Sequence, residues 1–232
     1  MEKASIHIKK AGYGDSGAIL RDIDFRILEG QLIGLIGPNG AGKSTTIKSM
    51  LGLLKDVEGN IEFADGRASV AYVPEHPVLY EELTLWEHME LAAAAYGLER
   101  PVFEERAEAL LAQFKLSADR HRLPVAFSKG MQQKVMLIIG FLNRPSLYIV
   151  DEPFIGLDPR ATKDFLELLR KERERGAGIL MSTHVLDTAE RICDSFLLLS
   201  EGRIVAQGTL DEVRQESGLP DGTLFDCFHT LV

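Results

Sequence analysis

The sequence predicts an α/β protein in which a mostly parallel sheet is flanked by helices, with an antiparallel β portion and an inserted helical subdomain. Two short apolar runs, Leu147 to Val150 and Gly178 to Ser182, have the length and composition of strands buried on both faces of a parallel sheet. Segments of helical composition alternate with them, as is typical of a sheet with helices on both sides. A long helical block between Pro77 and Ala126 interrupts this alternation. We therefore expect one domain over 1–232, with a core at 1–76 and 127–217, a helical subdomain at 77–126 and a tail at 218–232.

The N-terminal part contains two alternating strand patterns, Ser5 to Lys9 and Ala18 to Leu28. Between them lies a loop at 11–15 with one aromatic side chain, Tyr13, which either stacks on an adenine ring or packs on its own loop. A turn at Glu29-Gly30 then leads into the next apolar strand.

That strand opens the stretch Ile33 to Ile47, which continues as a glycine-rich loop and the start of a helix. Gly37, four further residues and Gly42-Lys43-Ser44 match the phosphate-loop motif in the strand-loop-helix context that the motif requires. Its glycines let backbone N–H groups curve around phosphates, the helix N-terminus favours negative charge, and Lys43 reaches the outer phosphates. Ser44 would offer its hydroxyl to Mg²⁺. We therefore expect a P-loop NTPase core. The residues expected at the nucleotide here are Gly37, Pro38, Asn39, Gly40, Ala41, Gly42, Lys43, Ser44 and Thr45.

Beyond the loop, the pattern predicts a helix from Ser44 to about Leu54 and a turn at 56–60. Two short strands, Ile61 to Phe63 and Ala68 to Val73, are predicted to be joined through Asp65-Gly66. Two helices are expected in the block at 77–126. The first begins at the capping box Thr84-x-x-Glu87 and reaches Tyr96, and the second runs from Pro101 to about Phe114.

The second half of the chain is predicted to continue the alternation of helices and strands. One helix is expected at 129–143, capped by Ser128, and a second from Asp158-Pro159 to about Gly176. A third helix is expected at 185–193, followed by a hairpin at 196–206 and by a last helix capped by Thr209. For the tail, the sequence leaves open whether it packs on the core or on a partner.

Composition and charge limit the classes of function. No run approaches the roughly 18 apolar residues of a membrane-spanning helix, and the N-terminus lacks the apolar segment of a signal peptide. We expect a cytosolic chain. The formal net charge of -9 argues against direct binding to nucleic acid or to an anionic lipid surface, so any membrane contact is expected through a protein partner. Cys193 and Cys227 match no disulfide framework or metal spacing and are expected to be free thiols.

Polar side chains follow the two buried strands at their carboxyl ends, where open α/β sheets place their ligands. Asp151 can reach Mg²⁺ beside the phosphate loop from this position, and Glu152 can polarise a water for attack on a γ-phosphate. His184 follows the second strand and is the one histidine to which we assign chemistry. Ser128 and Gly130 start a helix and form a second anion-binding helix end. The two helix ends need not face the same phosphate within one molecule.

The order of the phosphate loop, the helical insertion and the segments FSKGM, LYIVDEP, GLDP and STH resembles the nucleotide-binding subunit of ATP-binding cassette (ABC) transporters over nearly the whole chain. This resemblance implies ATP and Mg²⁺ as cofactors and hydrolysis of ATP to ADP and phosphate. The implied roles are adenine stacking for Tyr13, the Walker A loop for 37–44, the Walker B pair for Asp151 and Glu152, the signature motif for Ser128 and Gly130, the D-loop for Asp158, and the switch histidine for His184.

The same resemblance implies an assembly. Two subunits are implied to pair head to tail, so that the phosphate loop of one and Ser128 of the other enclose a single ATP. The block at 77–126 is implied to receive a transmembrane permease subunit on the cytoplasmic face of the plasma membrane. Within the family, the segments PEHPVLYEELTLWEHMELAAAAYGL, FSKGMQQKVM and DEPFIGLDP are most similar to the Ecs-type subunits of Firmicutes, and more broadly to export-type subunits.

The sequence departs from the family pattern at two places. Glu75 stands where many members have a metal-contacting glutamine. A carboxylate there either binds Mg²⁺ more strongly or, when the metal is absent, repels the γ-phosphate, and we expect Glu75 to couple the ATP site to the permease as glutamine would. In the signature segment, Lys129 and Met131 replace the commoner glycine and glutamine, which removes one polar contact and leaves the serine, the glycine and the helix end.

A soluble ABC-type ATPase that acts on DNA or ribosomes is the alternative. DNA-repair types contain a long coiled-coil insertion, and no heptad run occurs between Lys43 and Asp151. Translation factors usually contain two cassettes, and this acidic chain contains one. A GTPase or small-molecule kinase would leave the FSKGM and STH segments unexplained.

Overall fold

The computed structural model describes residues 1–13 and 18–232. Three strands form a small antiparallel sheet in the order β2-β1-β4, namely β1 (Glu2–Gly12), β2 (Ala18–Leu28) and β4 (Asp56–Phe63). Six strands form the larger sheet, namely β3 (Leu32–Ile36), β5 (Val70–Val73), β6 (Leu147–Asp151), β7 (Gly178–Ser182), β8 (Ser195–Ser200) and β9 (Arg203–Gly208). Their order is β5-β6-β7-β3-β8-β9, parallel except for the antiparallel pair β8-β9.

Eight α-helices accompany these strands in the part of the chain that is described. They are α1 (Lys43–Leu51), α2 (Leu85–Ala95), α3 (Arg100–Gln113), α4 (Lys129–Leu142), α5 (Pro159–Glu174), α6 (Leu186–Ile192), α7 (Leu210–Ser217) and α8 (Leu224–Leu231). The predicted fold class is therefore confirmed: a mostly parallel sheet flanked by helices, with an antiparallel portion. Within the described ranges, no helix combines the length and the apolar character needed to cross a lipid bilayer.

The larger sheet is buried on both faces because alternate side chains of its strands enter different hydrophobic clusters. In β6, Leu147 and Ile149 pack with the small sheet and α1, whereas Tyr148 and Val150 pack with the helices on the other face. This double burial explains why the strand appears in the sequence as a continuous apolar run.

The stretch at 56–73 corrects two predictions. The polar segment at 56–60 is not a turn but the first part of β4, which pairs antiparallel with β1, with Ile61 opposite Ile6. β4 and β5 do not form a hairpin, because β5 belongs to the larger sheet, where Tyr72 lies opposite Ile149. The prediction failed because β4 is an exposed edge strand that needs few apolar residues, so its composition is that of a turn.

The loop predicted at 11–15 is also corrected in part. β1 continues to Gly12, so residues 11 and 12 are paired with β2, and residues 14 and 15 lie outside the described ranges.

The C-terminal tail forms a further helix after the one predicted to be last. Thr223 caps α8, and the Asp226 carboxylate accepts a hydrogen bond from the Thr223 N–H, which completes a capping box. Leu224 and Cys227 are fully buried against α6 and the β8-β9 end of the sheet. The tail therefore packs on the core. Cys193 and Cys227 are free thiols, as expected.

The start of β3 is fixed by a charged network. Asp194 accepts hydrogen bonds from the buried Leu32 N–H at 2.7 Å and from the Arg173 guanidinium at 2.7 Å. The same guanidinium donates to the Gly30 carbonyl at 3.2 Å. Because β3 leads directly into the phosphate loop, this network anchors the strand on which the loop is mounted.

Replacing this anchor tests its contribution to stability. Asp194→Ala is expected to lower the free energy of unfolding by about 2 kcal/mol, because a buried N–H loses its acceptor and Arg173 loses its partner charge. Urea denaturation provides the measurement. Asp211→Ala is the matched control, since this carboxylate is 89% exposed and pairs with Arg214 on the surface, so its loss should cost less than about 0.5 kcal/mol. Equal losses in the two variants would contradict the anchoring role.

Candidate functional site

The phosphate loop connects β3 to α1 and leaves the N-terminus of that helix open. Gly42 is the N-cap residue with a left-handed backbone (φ 112°), and no side chain caps the first N–H groups of α1. A residue with a β-carbon is disfavoured at this φ, so glycine is required at the position. The uncapped helix end can therefore donate to an anion.

Lys43 closes the loop on itself. Its ammonium group donates to the Gly37 carbonyl at 2.7 Å and to the Pro38 carbonyl at 3.3 Å. These bonds hold the side chain across the mouth of the loop, where its third proton remains for a further acceptor.

A cleft of about 660 Å³ lies in front of the loop and brings together most of the predicted site residues. Those that line it are Gly37, Pro38, Asn39, Gly40, Gly42, Lys43, Ser44, Thr45, Glu75, Asp151, Glu152 and His184. Of the remaining predicted residues, Ala41 is buried, and Tyr13, Ser128, Gly130 and Asp158 do not belong to the lining.

Asp151 lies at the carboxyl end of β6, directly opposite Ser182 at the end of β7. The Ser182 hydroxyl donates to Asp151 Oδ1. Burial raises the pKa of Asp151 above its ordinary value, the Ser182 hydrogen bond opposes this shift, and the charge of Glu75 adds to it. The Asp151 carboxylate is therefore a buried group that a cation in the cleft would stabilise in its charged form.

Glu152 has an uncommon backbone conformation that turns its carboxylate toward His184. Its φ is 47°, in the left-handed region that few residues other than glycine adopt. Glu152 Oε2 lies 2.8 Å from His184 Nδ1 and accepts the His184 backbone N–H at 3.2 Å. Such backbone strain concentrates at functional sites, where the surrounding structure maintains it.

Ser182 was missed by sequence reasoning, although it links the two acidic residues. Besides its bond to Asp151, its hydroxyl oxygen accepts the Glu152 N–H at 3.0 Å, and its carbonyl accepts the same N–H at 3.2 Å. The side chain is fully buried. The available signal was a hydroxyl residue at the end of an otherwise apolar strand.

Tyr72 of β5 was also missed. Burial raises the pKa of Tyr72 to about 12, and the nearby Asp151 carboxylate contributes to the shift. Its phenol therefore stays protonated and can donate to an acceptor beside Asp151.

Glu75 lines the cleft after the end of β5, and its carboxylate also lies 3.7 Å from His76 Nδ1. Among the residues that the structure describes, no group of three or more His, Cys, Asp or Glu side chains is arranged to hold a metal ion by itself. The donor set nevertheless fits Mg²⁺, which proteins commonly bind through one or two carboxylates together with substrate phosphates. Ser44, Asp151 and Glu75 supply hard oxygen donors on the walls of the same cleft.

Tyr13 lies beside α1, outside the lining of the cleft. The Lys48 ammonium donates to the Tyr13 hydroxyl at 3.3 Å and lies 5.6 Å from the centre of its ring. The ring is 43% exposed, so it has a face available to a planar ligand.

Ser128, Gly130 and Asp158 form a second surface. Ser128 caps α4, Asp158 caps α5, and the Lys134 ammonium on α4 donates to Asp158 Oδ2 at 2.9 Å. This hydrogen bond lowers the pKa of Asp158 below its ordinary value. A β-carbon on Gly130 would lie only 2.6 Å from the Gly156 carbonyl oxygen, so the starts of the two helices are packed closely together.

Known proteins resemble this chain over almost its whole length. It is 53% identical over 225 residues to the uncharacterized ABC transporter ATP-binding protein YthP of Bacillus subtilis (strain 168), with 97% of this chain and 94% of YthP covered. It is 48% identical over 222 residues to the ABC-type transporter ATP-binding protein EcsA of the same strain, with 92% of this chain and 90% of EcsA covered. The solved structure of an ATP binding subunit of an ABC transporter has a TM-score of 0.93, 47% identity and 99% coverage of both chains.

The family model for ABC transporters matches residues 20–155, which is more than half of the chain. This range contains the phosphate loop, the helical insertion, the start of α4 and the pair Asp151 and Glu152. The fold, the uncapped phosphate-loop helix and the two relatives agree with this match. The chain belongs to the ABC transporter family, as one of its ATP-binding proteins.

Proposed function

We propose that this chain is the ATP-hydrolysing subunit of a membrane ABC transporter and that two copies close around ATP to drive transport. The observation that carries this proposal is the cleft itself, which combines an uncapped helix end and Lys43 with the linked side chains of Glu152 and His184. Phosphoryl transfer to water requires this combination of phosphate positioning and an oriented carboxylate.

In this proposal, the phosphate loop holds the triphosphate. The ammonium group of Lys43, held by the Gly37 and Pro38 carbonyls, donates its third proton to a phosphate oxygen, while the first N–H groups of α1 donate from the helix end. Tyr13 stacks on the adenine ring with its exposed face. Ser44, Asp151 and Glu75 would hold Mg²⁺, which would neutralise charge at the phosphates when bound.

Glu152 and His184 act on the attacking water. The Glu152 carboxylate accepts a proton from the water as the water oxygen attacks the γ-phosphorus and the bond from that phosphorus to the bridging oxygen of the β-phosphate breaks. The contact with His184 Nδ1 keeps this carboxylate oriented. Lys43 and His184 also stabilise negative charge at the transferred phosphoryl group.

The second surface supports pairing between two chains. Ser128 and Gly130 start α4 on a surface distinct from the lining of the phosphate cleft of the same chain. We propose that the partner's copy of this helix end covers the ATP held by the first chain, and that Asp158, tied to α4 by Lys134, lies at the same junction.

Glu75 provides a prediction about metal dependence. Glu75→Gln removes one carboxylate from the cleft, so the Mg²⁺ concentration for half-maximal ATP hydrolysis is expected to rise by about threefold. A magnesium titration of ATPase activity measures it, with Glu174→Gln, an exposed residue of α5 outside the cleft lining and outside the block 77–126, as the charge-matched control. If Glu75→Gln changes neither the Mg²⁺ dependence of ATP hydrolysis nor its stimulation by the permease, the negative charge of Glu75 has no special role.

We propose that the permease docks at the block 77–126 near Glu75, on the cytoplasmic face of the plasma membrane. This block exposes large apolar side chains, including Val78 at 76%, Tyr80 at 62% and Val125 at 78%, and exposed apolar side chains of this kind mark interaction sites when they form a patch. The 48% identity to EcsA supports an Ecs-type subunit. We further propose outward transport, because the segments quoted from the sequence resemble those of export-type subunits.

Purification of the tagged chain from detergent-solubilised membranes tests this proposal. We expect an integral membrane protein to co-purify and to stimulate ATP hydrolysis. Ser128→Arg is a useful companion, since it should retain the membrane partner while losing stimulated hydrolysis. Recovery of ribosomes or DNA in place of a membrane protein would support the soluble alternative and overturn the proposal.

A further inference from the structure

The C-terminal helix α8 forms part of the wall of the nucleotide cleft. Its buried face holds Leu224 and Cys227, both fully buried. Phe228, on the next position of the helix, is half-buried and lines the cleft together with Leu186 and His184. The tail of the chain thus reaches the side of the cleft that contains the switch histidine.

α8 is also attached to α6, the helix that follows His184. Glu190 on α6 accepts the Leu224 N–H at 2.7 Å through Oε2, so a side chain of one helix binds the first turn of the other. α6 begins at Leu186, only two residues after His184. Leu186 and Phe228 pack against the same hydrophobic cluster, which contains Ala189 of α6. α6 and α8 are therefore tied together by a side-chain hydrogen bond and by a shared hydrophobic cluster.

The two phenylalanines of α8 have different environments. Phe225 is 50% exposed and contacts the ring of His229, whose centre lies 4.9 Å away on the outer face of the helix. Phe225 does not line the cleft, whereas Phe228 does. α8 therefore carries one phenylalanine at the cleft, Phe228, and one away from it, Phe225.

We propose that Phe228 is a positioning residue for His184 and, through it, for Glu152. Phe228 and Leu186 line the cleft together with His184 and pack on the same hydrophobic cluster, so we expect the ring to help fix the backbone on which His184 is mounted. Truncating the ring removes packing from the cluster that also holds Leu186, so the segment that presents His184 loosens while the phosphate loop stays intact. The effect on hydrolysis rests on the proposed function, but the effect on the segment 184–190 does not.

Hydrogen exchange of the nucleotide-free protein tests the structural part. In Phe228→Ala, amides in 184–190 are expected to exchange about tenfold faster, because lost packing lowers the cost of local opening. Phe228→Leu should recover most of the protection, and Phe225→Ala should leave this segment unchanged. Unchanged exchange in Phe228→Ala, or equal acceleration in Phe225→Ala, would overturn the proposal. If Phe228→Ala fails to fold, Phe228→Leu is compared with Phe225→Ala: we expect a small acceleration in Phe228→Leu and none in Phe225→Ala, and equal exchange in the two would overturn the proposal.

A double-mutant cycle with His184→Ala tests the catalytic part. Phe228→Ala is expected to lower kcat by about tenfold while KM changes less than about twofold, because small misplacements of a catalytic group reduce rate more than binding. In the His184→Ala background, the same change should cause no further loss. Independent, additive losses would show that Phe228 does not act through His184 and would overturn the proposal. If the wild-type chain hydrolyses no ATP with its permease, the proposed function and the expected effect of Phe228 on kcat are both refuted. The expected effect of Phe228 on the segment 184–190 would still be tested by hydrogen exchange.

Discussion

Glu152→Gln is expected to lower the rate of ATP hydrolysis by roughly 100- to 1,000-fold, because a glutamine amide cannot accept the proton of the attacking water. Glutamine has nearly the same shape, so it should keep the backbone at φ 47° and still accept the His184 N–H. ATP binding should therefore be close to that of the wild-type chain. Single-turnover hydrolysis together with equilibrium nucleotide binding separates the two effects.

Glu174→Gln is the charge-matched control for this experiment. Glu174 is exposed and pairs with Arg170 on the surface of α5, so its replacement should leave hydrolysis within about twofold of wild type. Turnover by Glu152→Gln at the wild-type rate would show that the water is activated by a different group.

Lys43→Ala is expected to weaken ATP binding by about 30- to 100-fold, because the triphosphate loses a charge-assisted hydrogen-bond donor. The loop should keep its fold, since the bonds from Lys43 to the Gly37 and Pro38 carbonyls are only part of what holds it. Calorimetric titration with ATP in the presence of Mg²⁺ measures the change.

Lys55→Ala provides the control for Lys43→Ala. Lys55 is exposed beyond α1 and outside the cleft lining, so its removal changes the net charge equally without touching the site. If Lys43→Ala binds ATP with the affinity of the wild-type chain, the assignment of 37–44 as the phosphate loop is wrong. An equal loss in both variants would indicate a general effect of charge.

The sequence predicted those parts of the fold in which local chemistry and tertiary position agree. Leu147 to Val150 appears as an apolar run because β6 is buried on both faces, and Thr84 with Glu87 marks a helix start because the capping box is a local structure. The phosphate loop was equally predictable, since its glycine spacing meets a geometric requirement of phosphate binding.

Other features depend on contacts between distant segments and were therefore missed. The polar residues of β4 form a strand only because β1 offers its free edge. Ser182 became part of the site only when β7 was found beside β6, which brings its hydroxyl to Asp151. The position of Phe228 in the cluster that also holds Leu186 depends on how α8 packs on α6, and no local sequence pattern predicts such packing.

Association of Glu152→Gln with Mg²⁺ and ATP tests the central claim most directly, namely that two copies of this chain enclose the nucleotide. In sedimentation velocity with the permease present in detergent, we expect Glu152→Gln to accumulate as the closed assembly with two copies per complex, and Glu152→Gln combined with Ser128→Arg to bind ATP without closing. The charge and bulk of arginine at the start of α4 block the helix end that covers the partner's ATP. Two results would contradict the account: Glu152→Gln chains that stay unpaired when saturated with ATP, or a double variant, Glu152→Gln with Ser128→Arg, that pairs as well as Glu152→Gln alone.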